Sequence, residues 1–279
     1  MATETLQFNG ITVGIGGNYH LETLEGLLLG NIEFNSYLIP QTNSSKVVSN
    51  YIKSKIITID IGVRGNDLAD FYVKRKALLN AVYPQANKLV EFTYTTDEGD
   101  IYVFSGALRG VPAENTRSGA YQVLGFSFYI PDGQIRGNIL NSQTLSQAGV
   151  ATGAVLPFTL PVLLGTATGG ATINNAGNGY APLNITINGP GTNFTILNQT
   201  TNQSISIDNI SLIANQTIEI DGTAQTVNQS GVSIYQYVTS DSVFPTLAPG
   251  NNNLAFYVDN GATSDTKAVI TWYNTYVGI

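Results

Sequence analysis

Residues 55–84 read KIITIDIGVRGNDLADFYVKRKALLNAVYP, and the hydrophobic period changes partway along them. From Lys55 to Val63 the apolar residues Ile57, Ile59, Ile61 and Val63 alternate with Thr58, Asp60 and Gly62, the period of two that a strand with one buried face requires. Asn66 or Asp67 then offers a side-chain oxygen to cap a helix. From Leu68 onward Leu68, Phe71, Tyr72, Leu78, Leu79 and Val82 recur on one helical face, with Lys74, Arg75 and Lys76 on the others. Pro84 cannot continue the helix and is expected to stop it.

The neighbouring segments extend this β–α unit with strands. Lys88–Thr95 and Ile101–Val111 flank the turn Asp97-Glu98-Gly99-Asp100, the pattern of a hairpin. A last strand is expected from Ala120 to Ile130, ending at Pro131-Asp132-Gly133. The first half is therefore a small barrel or sheet with one helix packed on it.

The second half has no helical period longer than two turns. Short strands recur between turn signals at Leu183–Asn188, Ser204–Ile207, Gln216–Ile220, Leu254–Val258 and Ala268–Tyr273, which predicts a β-sandwich. Charge separates the halves: eleven of the twelve Lys and Arg and thirteen of the nineteen acids precede residue 141. Between the halves lies GNILNSQTLSQAGVATGAV, small and polar without a period of 2 or 3.6. The expected division is residues 1–136, a linker at 137–155, and residues 156–279.

The chain has 279 residues, of which 43% are hydrophobic and only 11% charged, against about 25% charged in an average soluble domain. Asn, Thr, Ser, Gln and Gly must cover the surface instead, as on extracellular and virion β-proteins. The net charge of −7 argues against specific nucleic-acid binding, which needs clustered Lys and Arg. A mildly acidic wall would still suit a channel through which DNA slides. There is no cysteine, which excludes disulfides, thiolate metal sites and cysteine nucleophiles. No apolar run approaches membrane-spanning length, so no membrane insertion is expected. The first residues, MATETLQFNG, have neither a basic nor an apolar signal region. The protein is accordingly expected to stay in a cytoplasm until assembly. Asn-x-Ser/Thr triplets at Asn184, Asn193, Asn198, Asn209 and Asn215 are read as chance in so Asn- and Thr-rich a chain.

Catalytic motifs are sparse. His20 is the one histidine and sits in GGNYHLETLEG, where it reads as a strand or turn residue, since one His builds no His-based metal site. Gly14-Ile15-Gly16-Gly17 is similar to a dinucleotide fingerprint, but Tyr19 holds the third glycine position and no amphipathic helix follows. It reads as a hairpin turn. Asp97, Glu98 and Asp100 lack the spacing of a calcium loop. The second-half acids Asp208, Glu219, Asp221, Asp241, Asp259 and Asp265 show no pair fit for glycoside hydrolysis. Tyr235, Tyr237, Phe244, Trp272 and Tyr273 either stack on sugars or fill a sandwich core; spacing by two favours the core. No catalytic, cofactor-binding or metal-binding residue is assigned, and no cofactor is expected.

One ordered set of motifs is more specific. LPFTLPVLLG at Leu156–Gly165 is followed by ATINNAGNGYAPLNITINGPGTNFTILN at Ala171–Asn198 and ISLIANQTIEID at Ile210–Asp221. FPTLAPGNNNLAFYV at Phe244–Val258 and the final AVITWYNTYVGI complete the order. This order resembles the second domain of siphophage distal tail proteins, and the strand, helix and hairpin of the first half match that family's N-terminal domain in order and size. The resemblance implies a mainly β fold: an N-terminal split β-barrel with one α-helix and a C-terminal galectin-like β-sandwich. It implies a structural virion protein, not an enzyme, self-associated into a hexameric ring at the tail tip or baseplate. It also implies three kinds of neighbour: the major tail tube protein, a tail-associated lysin or fibre protein, and receptor-binding proteins.

Leu27-Leu28-Leu29 and Phe34–Ile39 are candidates for the ring interface; ordinary core strand is the equal alternative for both. The alternative function is a carbohydrate-binding module that recognises the bacterial envelope. A glycan-cleaving enzyme is a poorer third, with no favoured carboxylate pair.

Overall fold

A computed structural model describes residues 4–28, 32–39, 44–52, 54–83, 88–147 and 170–279. Several sequence expectations fall outside these residues: Leu29, Pro84 as the helix stop, the linker at 148–155, and the Leu156–Gly165 motif. The described chain is mainly β with a single α-helix, and it divides into two compact units. Unit 1 comprises residues 1–138 together with 276–279; unit 2 comprises residues 139–275.

In unit 1 the strands are β1 (Thr5–Phe8), β2 (Ile11–Gly14), β3 (Tyr19–Glu25), β4 (Ile32–Leu38), β5 (Ser45–Ile52) and β6 (Lys55–Arg64). After helix α1 (Leu68–Val82) come β7 (Val90–Thr95), β8 (Ile101–Leu108), β9 (Ala113–Glu114) and β10 (Tyr121–Ile130), and β11 (Ile135–Ser146) begins here. β3, β6 and β10 form one antiparallel sheet, with Ile57, Ile59, Ile61 and Val63 buried as the alternation requires. β2, β1, β7 and β8 form a second sheet, which meets the first where Phe128 and Tyr129 pair with Leu108 and Ala107. The sheets are not closed into a barrel.

Phe92 anchors the core between these sheets: Phe8, Phe104 and Phe128 lie 5.1, 5.2 and 4.6 Å from it, centroid to centroid. α1 covers this core with Phe71, Leu78 and Val82, and Asp67 caps it by accepting the Asp70 amide at 2.8 Å. Leu68 and Tyr72, expected on the buried face, are about half exposed.

Two turns differ from expectation. Gly14–Asn18 connects β2 to β3, but β2 pairs with β1, so this segment closes no hairpin. The hairpin is β1–β2, turned by Asn9 and Gly10 at φ 44 and 79. Asn-Gly is the dipeptide that tolerates two successive positive φ values, which a tight hairpin turn needs. The second difference is β11. Residues 137–146, expected as linker, are strand, with mostly exposed side chains. Backbone pairing carries it without apolar alternation, so no period marks it in the sequence.

Unit 2 contains β12 (Gly170–Asn175), β13 (Ala181–Pro182), β14 (Asn184–Asn188), β15 (Gly191–Asn198), β16 (Gln203–Leu212) and β17 (Thr217–Asp221). They are followed by β18 (Thr226–Gln229), β19 (Val232–Ser233), β20 (Thr246–Leu247), β21 (Gly250–Asn260) and β22 (Lys267–Tyr276), whose last residue belongs to unit 1. One sheet runs β12–β21–β15–β16. The other joins β22, β14, β17, β18 and β19. Ile185, Ile187, Ile218, Ile220, Ile270 and Trp272 from one sheet meet Phe194, Ile196, Ile205, Ile207, Leu254 and Phe256 from the other in one core. This is the two-sheet packing that alternating strands predict.

Three asparagines inside this sandwich are fully buried: Asn175, Asn198 and Asn252. Each turns its amide onto loop backbone. Asn252 Oδ1 accepts the Ala248 amide at 2.9 Å, and its Nδ2 donates to the carbonyls of Ala248 and Gly250 at 2.7 and 3.0 Å. Asn198 Nδ2 donates to Thr246 O and to Asn252 Oδ1. Asn175 donates to Gly179 O and Leu247 O and accepts the Gly177 amide. Buried loop backbone must find partners, and these side chains supply them.

Candidate functional site

The segment from Phe34 to Ile39 is not core. β4 and β5 pair antiparallel from Ile32↔Ile52 to Leu38↔Ser45, with an irregularity between Asn35 and Ser36. Among the described residues they pair with no other strand. The apolar side chains of this two-stranded arm face solvent: Phe34 is 58%, Leu38 78% and Val48 67% exposed, and Tyr37 and Val47 are about half exposed. An isolated two-stranded hairpin is marginal in water by itself. Exposed apolar strands with free edges are a template for pairing or packing with another chain.

At the arm's base the sequence candidates separate. Leu27 packs against the unit 1 core, whereas Leu28 is 76% exposed. Exposed and core-packed positions therefore split within one run of leucines. The bulky residues of Phe34–Ile39 fall on the exposed side.

The outer face of β3, β6 and β10 is polar. Tyr121 donates its hydroxyl to Glu22 Oε1 at 2.6 Å, and Thr23 donates to Asp60 Oδ2 at 2.8 Å. The hydrogen bond to Glu22, with burial and the carboxylate charge adding to it, pushes the Tyr121 phenol up to about 12. Glycine makes room for these side chains: a Cβ at Gly62 would come within 2.5 Å of the Tyr121 hydroxyl and 2.7 Å of Glu22 Oε1. His20 lies beside them in β3, half-buried, with Arg64 lining the same shallow depression. This arrangement holds two carboxylates by hydroxyl donors, and it brings no second imidazole or nucleophile to His20.

The other inspected residues have structural places. Asp97, Glu98 and Asp100 lie in the β7–β8 turn, closed by the Thr96 amide on Asp100 O and the Asp100 amide on Thr96 Oγ1. Gly99 there has φ 95. Of the five second-half aromatics, Trp272 is in the sandwich core, and Tyr237 and Phe244 pack against it. Tyr273 is half-buried and Tyr235 is 53% exposed. Sequence reasoning missed the buried amides of Asn175, Asn198 and Asn252. For Asn175 and Asn252 the signal was available in the turn-rich runs INNAGNG and APGNNN, where side-chain amides commonly template backbone turns.

Comparison with known proteins agrees with this architecture. Residues 177–276 match the family described as siphovirus-type tail component, C-terminal domain. No curated protein sequence matches the chain. Among solved structures, the SPP1 Dit protein (gp 19.1), described as a paradigm of the hub adsorption apparatus in Gram-positive infecting phages, superposes with TM-score 0.69 at 12% identity, covering 98% of each chain. A chain of the phage p2 baseplate in its strontium-activated conformation gives TM-score 0.50 at 12% identity, covering 99% of each. The calcium-activated phage P2 baseplate gives 0.49 at 13% identity, again over 99% of each. At such identities the structures speak for fold; the family match in unit 2 speaks for kinship. Residues 177–276 are thus similar to the C-terminal domain of siphovirus-type tail components, and the chain over nearly its whole length shares its fold with the SPP1 Dit protein.

Proposed function

We propose that this protein is the distal tail hub, joining the phage tail tube to the baseplate or tail-tip adsorption apparatus. The observation that carries the reading is the β4–β5 arm, an apolar two-stranded sheet with no partner among the described strands of its own chain. A heterologous contact that repeats around an axis closes into a ring, and an arm reaching a neighbouring copy supplies such a contact. Six copies are the expected number. The tail tube protein and a tail-associated lysin or fibre protein are the expected neighbours, and the sparsely charged surface of unit 2 suits docking of receptor-binding proteins. The role is structural and non-catalytic. The protein resides in the virion after assembly in the host cytoplasm.

The test is the mass and shape of the purified chain. Light scattering and negative-stain microscopy are expected to give a closed ring with a central channel. Phe34→Ser combined with Leu38→Ser is expected to leave monomers with unchanged circular dichroism. A chain that is monomeric at every concentration, alone and mixed with tube protein, overturns the reading.

A further inference from the structure

The last residues of the sequence do not belong to the unit that precedes them. Residues 276–279 are part of unit 1. Several contacts hold this segment to unit 1. The Ile279 amide donates to the Leu27 carbonyl at 3.1 Å. Lys55 Nζ donates to the Val277 carbonyl at 3.3 Å. The Tyr276 ring meets Tyr102 edge-on at 5.2 Å between centroids. Val277 is buried, and Tyr276 and Ile279 pack on the same core as Leu27.

Two of these anchors stand at the roots of the arm. Leu27 lies on the way in, between the end of β3 at Glu25 and the start of β4 at Ile32. Lys55 lies on the way out, as the first residue of β6 after β5 ends at Ile52. The roots are adjacent. Gly26 has φ 91, and a Cβ there would collide with the Ile56 carbonyl, so the chain leaving β3 lies directly against the start of β6, with which β3 pairs antiparallel. Residues 277 and 279 therefore touch both roots where they lie side by side. Burial lowers the Lys55 ammonium from its ordinary value, with Asp132 opposing. A side chain so placed needs the Val277 carbonyl, because a buried ammonium without acceptors is costly.

We propose that residues 276–279 are a strap across the roots of the β4–β5 arm, and that the pose of the arm depends on them. The strap stands on the contacts alone; its effect on assembly rests on the hub reading above.

The experiment uses the full chain, a variant lacking residues 277–279, and Lys55→Met, which keeps the bulk of the side chain and removes its donor. Hydrogen exchange followed by mass spectrometry reads the amides of residues 24–28 and 54–58. Losing two hydrogen bonds, the buried Val277 and the partly buried Ile279 is expected to speed their exchange at least about tenfold in the truncated chain, and severalfold in Lys55→Met. Unit 2 amides are expected to keep their rates in both. Unchanged root exchange in both variants overturns the strap. If the truncated chain fails to fold, Lys55→Met decides alone by the same reading. The truncated chain is further expected to lose self-association; association equal to that of the full chain overturns the assembly consequence. A full chain that never associates refutes the hub reading instead, and root exchange still decides the strap.

Discussion

Replacing Asn252 by alanine removes four hydrogen bonds from the middle of unit 2. The Ala248 amide loses its acceptor, the Ala248 and Gly250 carbonyls lose a donor, and Asn198 Nδ2 loses one of its two acceptors. Asn198 keeps Thr246 O, so its loss is small. The carbonyls of Ala248 and Gly250 belong to half-buried residues, where water can replace the amide. The Ala248 amide has no other acceptor shown. A neutral hydrogen bond is worth about 1 kcal/mol net, and a buried group left unpaired costs about 1–3 kcal/mol. One orphaned amide, two weakened carbonyls and one weakened side-chain contact sum to about 3–4 kcal/mol. Trp272 is the chain's one tryptophan and lies in the unit 2 core, so its fluorescence follows this unit during urea unfolding. With a urea slope of about 1.5–2 kcal/mol per molar, the midpoint is expected to fall by about 2 M. The control is Asn251→Ala. Asn251 is exposed and only accepts a cross-strand bond from Asn174 at 2.8 Å, a contact worth about 0.5 kcal/mol. If the two variants unfold at the same urea concentration, the view that buried amides hold the 246–250 loop is wrong.

Gly177→Ala should also lower unit 2 stability, by about 2–4 kcal/mol on the same fluorescence assay, because the new Cβ meets the Thr275 backbone, which cannot yield as a side chain can. Asp67→Ala removes the α1 cap and should cost unit 1 about 1 kcal/mol by thermal unfolding, while Asp67→Ser should restore most of it. Tyr121 and Tyr94 are both pushed up to about 12, so ultraviolet titration should find these phenols ionising last. For Tyr121 the folded value lies above the unfolded one. Its contribution to stability is then complete below pH 10 and is lost as pH rises towards about 12. Glu22→Gln should lower the Tyr121 value and leave that of Tyr94, which burial and Glu4 raise; a Tyr121 titration unmoved by this change would contradict the assigned cause.

The elements legible in the sequence were those whose burial is one-sided. β6 and β10 each hide one face, so Ile57, Ile59, Ile61 and Leu124, Phe126, Phe128 announce themselves by alternation. The hairpin β7–β8 was legible because Gly99 marks its turn. β11 was not, since its side chains are mostly exposed and its order comes from backbone pairing. The arm fails for the opposite reason. Phe34, Tyr37, Leu38, Val47 and Val48 look like core by composition, and only their exposure among the described residues shows that they are not. Periodicity reports which residues avoid water in the finished assembly, and a single chain cannot distinguish its own core from a neighbour's.

Asparagine shows how far composition can mislead. Its abundance reads as a polar coat, yet its residues do three separate jobs here. Asn193, Asn202, Asn209 and Asn215 hold φ between 52 and 67, the left-handed region that asparagine tolerates better than most side chains. Asn174, Asn251 and Asn193 join neighbouring strands across the open face of the β12–β21–β15–β16 sheet, Asn193 through Asp259 at 2.8 Å. Asn175, Asn198 and Asn252 are inside. The triplets that mimic glycosylation sites follow from these jobs: Asn193, Asn209 and Asn215 are backbone corners, Asn184 sits in a strand, and Asn198 is buried with its amide occupied. A domain with a single basic residue after position 141 has few ion pairs with which to fix its loops, so neutral amides do that work. The bonds from Asn175, Asn198 and Asn252 to backbone and to one another are insensitive to salt and nearly so to pH, because neither partner carries charge. Loops fixed in this way keep their conformation across ionic media.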